Sequence, residues 1–243
     1  MDIVRRNFFR LLRAGVLDEA GEMEPMSPFK WRQVIQLLRA QSVLPLGAKG
    51  LSIYHGDKRM NMPEELVAQV MTEGKNRENN PFRAEAKLSN PFLNNRLNNI
   101  RQTEPHAIDC NIETLRLLDI IVSNINHVMS RGLSLQGVLE IGLYLREKGD
   151  RVDFVKLDSW LGRLHIARMA SLLGSILVEV FEFDEDEIPF IRRRDPKVDK
   201  LLMRALQNGD DHQETSLLFR FQPLETTTRF VRNIKQQLAE IEE

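Results

Sequence analysis

Cysteine is nearly absent: Cys110 stands alone in 243 residues. A single thiol excludes an intrachain disulfide and any zinc site built on cysteine pairs. Aromatic residues are also scarce, at 7% with two tryptophans, which argues against a base-stacking platform or an aromatic sugar cleft. Neither sign of charge prevails. The 34 Lys and Arg residues face 35 Asp and Glu, and that balance excludes a globally basic nucleic-acid binder, an acidic tail and an extended charged coil. Long apolar runs are missing too. The most apolar stretch, 166 to 183, carries Arg168 and Glu179, whereas a spanning helix needs about 20 mostly apolar residues. A buried helix is expected there. Met1-Asp2-Ile3-Val4-Arg5-Arg6-Asn7 lacks the basic-then-apolar order of a signal peptide, and Arg10 and Arg13 follow Phe8-Phe9 at once. The expectation is a soluble, cytoplasmic protein with no membrane partner.

The familiar catalytic signatures are missing as well. The chain has no Gly-x-x-x-x-Gly-Lys-Ser/Thr phosphate loop, no Gly-x-Gly-x-x-Gly and no Gly-x-Ser-x-Gly elbow. Its five histidines, at 55, 106, 127, 165 and 212, never fall three or four residues apart, so no helix turn offers a paired ligand set. No catalytic residue is assigned.

What is present is helical patterning. Hydrophobic residues make up 42% of the chain, enough for one sizeable core or two small ones. Residues 3 to 14 align Ile3, Val4, Phe8, Leu11 and Leu12, with Gly15 as a stop. Ser27-Pro28 is a cap followed by proline at the first helical position. Residues 43 to 54 form a shorter apolar segment, loosened by Pro45, Gly47 and Gly50, and Pro63-Glu64-Glu65 opens another helix. Asn111, Ser134 and Asp153 cap three more, with Gly132 and Gly149 as stops and a break near His165. Further helices are expected from Pro196 to Gly209 and from Glu225 to Ile241, and 217–221 is the one run with strand character. The fold class is all-α, a multi-helix bundle-like protein with short or no β structure. Between 72 and 104 asparagines crowd the chain and few apolar positions are spaced for a core, which suggests a linker or loosely packed arm. The division is an N-terminal helical region 1–71, an Asn-rich linker or arm 72–110 and a C-terminal helical region 111–243.

Several side chains invite a chemical reading. Asp184-Glu185-Asp186-Glu187 is the densest carboxylate cluster, in which Asp184 and Asp186 are candidate Mg²⁺ ligands. The competing reading makes Asp184 and Glu187 a capping box. Arg192, Arg193 and Arg194 are candidate nucleotide or phosphate contacts, or else pair with the acids upstream. His127, on or beside the apolar face of its helix, reads as a structural polar residue, as does Glu140. Cys110 precedes a helix N-terminus, where a thiolate gains some stability, yet no basic partner is evident. The basic residues of the Asn-rich stretch have few aromatics among them beyond Phe82 and Phe92, so RNA is not an expected ligand.

The order of helices resembles the flanking regions of a family of poorly characterised bacterial nucleotidyltransferase-like proteins. The likeness rests on Phe8-Phe9-Arg10-Leu11-Leu12-Arg13, Met26-Ser27-Pro28-Phe29-Lys30-Trp31 and Gln41-Ser42-Val43-Leu44-Pro45-Leu46. It is stronger from about 110 to 210, through His127, Gly132-Leu133-Ser134-Leu135, Val152-Asp153-Phe154, Gly174-Ser175-Ile176-Leu177-Val178-Glu179, Ile188-Pro189-Phe190 and Gln207-Asn208-Gly209. The resemblance implies a catalytic core with a glycine turn and two aspartates one residue apart, holding Mg²⁺. Here only the Asn-rich stretch separates the helical regions, with neither feature. The family's Leu-Arg and Asp-Trp correspond to Leu135-Gln136 and Glu140-Ile141, and an expected histidine is Ser123. The resulting expectation is a non-catalytic helical binding or scaffold protein with a protein partner and no cofactor. The alternative is a nucleotidyltransferase or nucleotide-binding protein with an atypical Mg²⁺-dependent site.

Overall fold

Helix ends leave backbone N–H and C=O groups without partners, and side chains in this sequence supply them. In the computed structural model, which describes residues 2–54, 57, 60–77, 84–191 and 206, Asp2 accepts the N–H of Arg5 at 2.9 Å and opens α1, Ile3–Leu17. Ser27, with Pro28 behind it, opens α2, Pro28–Ala40. α3 spans Leu44–Ile53 and α4 Glu64–Arg77, the latter with Glu64 and Glu65 at the positive end of its dipole. Asn90 accepts the N–H of Phe92 at 2.9 Å and opens α5, Pro91–Thr103. Asn111, Ser134 and Asp153 cap α6 (Ile112–Ser130), α7 (Leu135–Lys148) and α8 (Phe154–Arg163). α9, Ala167–Phe181, ends on Glu182 in the left-handed region at φ 57°. Among the described residues the protein is all-α, with nine helices and no strand.

Helices α1 to α4 pack as one group, α1 against α2 and α3, and α3 against α4. Helices α6 to α9 form the other, with α6 on α7 and α8, and α9 on α7 and α8. The groups share a single core through α1 and α9, where the Phe9 and Phe181 rings meet edge to face at 5.9 Å. Arg13 reaches across the same seam, donating to the carbonyl of Val180 at 2.8 Å and pairing with Glu182. No helix among the described residues is long and apolar enough to cross a membrane.

Three local expectations change. Gly15 does not end α1, which continues to Leu17 and closes on Asp18 at φ 60°. It lies inside the helix because α3 runs too close for a side chain: a Cβ there would sit 2.1 Å from the carbonyl oxygen of Leu46, and one on Gly50 equally near that of Leu11. The glycines of 43–54 therefore do not loosen the segment; α3 is regular, and they let it press on α1 and α2. The Asn-rich stretch contains α5, whose Leu97 and Ile100 are buried, where a linker or loose arm was expected. Arg101 fastens it to Asp119 of α6 at 2.7 Å and to the carbonyl of Ala86 at the same distance. The helices expected from Pro196 and Glu225 and the 217–221 run lie outside the described residues, apart from Leu206, which is helical and buried.

Candidate functional site

The end of α7, the turn after it and the start of α8 make one corner of the molecule. α7 stops at Lys148; Gly149–Arg151 makes a single tight turn, and the Asp153 cap starts α8 at once. After α9, the left-handed Glu182 reverses the chain and buried Phe183 anchors it, so that residues 184–187 return to the end of α7. The two segments border an open cleft of about 900 Å³. Leu145, Val152 and Phe154 supply its apolar lining, and Asp150, Asp184, Glu185, Asp186 and Glu187 its carboxylates. Arg146 is the cation among these lining residues.

That arginine is already engaged. Its guanidinium lies 2.9 Å from Glu187 and 5.2 Å from the centre of the Phe183 ring. Glu187 also accepts the backbone N–H of Asp184 at 3.0 Å, and the two residues form a capping box around the Glu185–Glu187 turn. Asp184 and Asp186 are exposed on this turn. Among the described residues, no group of three or more His, Cys, Asp or Glu side chains is arranged to hold a metal ion. The turn by itself therefore does not make up the oxygen-rich shell that Mg²⁺ requires. Arg192, Arg193 and Arg194 lie outside the described residues.

The other sequence-marked residues sit elsewhere. His127 is in the last turn of α6, its Nδ1 2.9 Å from the carbonyl oxygen of Gly132, which stands at φ 104°. Glu140 is half-buried in the middle of α7, and burial alone holds its carboxyl above the usual carboxylate range. Cys110 is exposed in the turn before α6. Thus the structure brings Asp184 and Asp186 into the cleft and leaves His127 and Glu140 out of its lining.

Three clusters without any sequence signature tie elements together. Arg6 and Arg10 both bond Glu24 at 2.7 Å, and this pairing lowers the Glu24 carboxyl to about 2. Tyr144 donates to Glu113 at 2.5 Å, joining α7 to α6. Lys156 donates to buried Glu104 at 2.8 Å and to the carbonyl of Asp109 at 2.6 Å. This last set holds the 104–111 segment against the start of α8. Arg146, Asp150 and Phe154 escaped the sequence reading because no motif joins positions in α7, a turn and α8; only the return of 184–187 assembles them.

Fold and site together define an all-α helical protein with an acid-rimmed cleft. No protein family, curated protein or solved structure matches the chain.

Proposed function

We propose that this chain is a non-catalytic helical binding protein, related to nucleotidyltransferase-like proteins, that holds a protein partner in the cleft between α7, α8 and the 184–187 turn. The cleft carries the reading. It is an open cleft of about 900 Å³, unlike the deep pockets that bury most of a small ligand's surface. Its lining combines an apolar patch with carboxylates, a composition suited to recognition. Three of its polar side chains are committed to architecture: Glu187 and Asp184 to the capping box, and Arg146 to Glu187 and Phe183.

Two experiments test this. Calorimetric titration of the full chain with nucleoside triphosphates and Mg²⁺ should give no saturable heat. Saturable heat abolished by Asp184→Ala with Asp186→Ala would replace the proposal with a nucleotide-binding one. Affinity capture should recover a reproducible protein partner that the Asp184→Lys, Asp186→Lys chain loses. Identical recovery by both chains would overturn the assignment of the cleft.

A further inference from the structure

We infer that residues 19–25, between α1 and α2, form a strap that opens as one unit ahead of the helices beneath it. The Glu24 carboxylate is its latch, and the strap gates the Arg6–Arg10 pair of α1. None of its residues lines the cleft at α7 and α8.

The segment has no secondary structure. Among the described residues, 19–26 make no backbone–backbone hydrogen bond. Side chains of the helical body hold the strap instead, at two places. Tyr54, just after α3, brackets Gly21: its hydroxyl accepts the Gly21 N–H at 2.9 Å and donates to the Gly21 carbonyl at 3.1 Å. Asn7 of α1, fully buried, brackets Glu24 in the same way, accepting its N–H at 3.2 Å and donating to its carbonyl at 2.7 Å. The Glu24 carboxylate then receives two bonds from Arg6, at 2.8 and 2.7 Å, and one from Arg10 at 2.7 Å. The ends are fixed separately. Asp18 pairs with Lys49 of α3 at 2.8 Å, and buried Met26 seats the chain before α2.

Between these anchors the strap stands off the helix. A cleft of about 220 Å³ lies between residues 19–22 and Arg10, Arg13 and Leu17 of α1. Residues 19–22 and Pro25 are exposed. A segment with few apolar contacts, held by bonds that water can replace, opens at less than the cost of global unfolding. α1 is the opposite case, with Phe8, Leu11 and Leu12 wholly inside the core. Charge-assisted bonds are the stronger kind, so Glu24 is the firmer of the two anchors. The anchors lie three residues apart on a stretch with no bonds of its own, and slack at one is passed to the other. Closed, a single carboxylate occupies both guanidinia. Open, Arg6 and Arg10 are released from it, one turn apart, beside the amide of Asn7.

Amide hydrogen exchange of the full chain, resolved by residue, tests the strap. In the parent the Gly21 and Glu24 amides should show matching protection, at least about a hundredfold below that of Leu11 and Leu12 inside α1. Two conservative variants then weaken one anchor each. Glu24→Gln removes the charge of the latch, and Tyr54→Phe removes the hydroxyl at Gly21. Exchange at both amides should quicken, by at least about tenfold in Glu24→Gln and at least about threefold in Tyr54→Phe. Leu11 and Leu12 should keep their parental protection, with circular dichroism unchanged. A side chain that merely fastens its own neighbour would speed only the amide at its own anchor. Acceleration confined to the altered anchor in either variant would overturn the inference. So would Gly21 and Glu24 amides as protected as those of Leu11 and Leu12. If one variant fails to fold, the other and the parent still decide.

Discussion

Two glutamates show how residue type underdetermines electrostatics. Glu24 faces Arg6 and Arg10, and those bonds hold its carboxyl near 2, below the ordinary 4.5. Folding then favours the ionised form, so the contribution is complete above pH 4.5 and is lost as pH falls from 4.5 towards 2. Glu140 has the opposite environment: burial raises its carboxyl. There the folded state binds the proton more tightly, and stability declines as pH rises through 4.5 and past the raised value. Urea midpoints measured against pH should therefore move in opposite senses. Glu24→Gln should flatten the loss of stability below pH 4.5. Glu140→Gln should be more stable than the parent at neutral pH, with the difference vanishing in acid.

At the scale of elements, the N-terminal group depends on how closely two helices approach. Gly15 and Gly50 face each other's backbones across the α1–α3 contact, and neither has room for a methyl group. Gly162, within α8, has nothing within 4 Å of the position a Cβ would take. Gly15→Ala should cost about 2–3 kcal/mol through overpacking, whereas Gly162→Ala should stabilise by about 0.5–1 kcal/mol by restricting the unfolded chain. Thermal unfolding of both variants checks the pair, and a neutral Gly15→Ala would contradict the close approach. α5 teaches the complementary lesson. Its cap and start, Asn90 and Pro91, and its spaced Leu93, Leu97 and Ile100 were all present in the sequence. Five asparagine and arginine residues among them obscured a narrow apolar stripe, and only the shared core gives that stripe something to cover.

For the whole molecule, the decisive contact is the seam between α1 and α9, made by Phe9, Arg13, Phe181 and Glu182. The two tryptophans report on opposite sides of it, Trp31 in α2 and Trp160 in α8. If the seam couples the groups, the single-tryptophan chains Trp31→Phe and Trp160→Phe should show coincident fluorescence midpoints in urea, relative to the circular-dichroism midpoint of each. Separated transitions would mean that the two groups unfold independently.

By itself the sequence determined the helical class, the caps at Ser27, Asn111, Ser134 and Asp153, and the left-handed stop at Gly132, because these follow from local backbone chemistry and 3.6-residue periodicity. It also marked Asp184 and Asp186 as a dense pair of acids and Asp184–Glu187 as a capping box. Only the tertiary structure decided that Gly15 serves packing and not termination, that the Asn-rich stretch holds a docked helix, and that Asp150, Phe154 and the 184–187 turn share one cleft. Each of those depends on the separation between segments distant in the chain. Distances of that kind are set by the packing of the whole core and leave no periodic trace in any one segment.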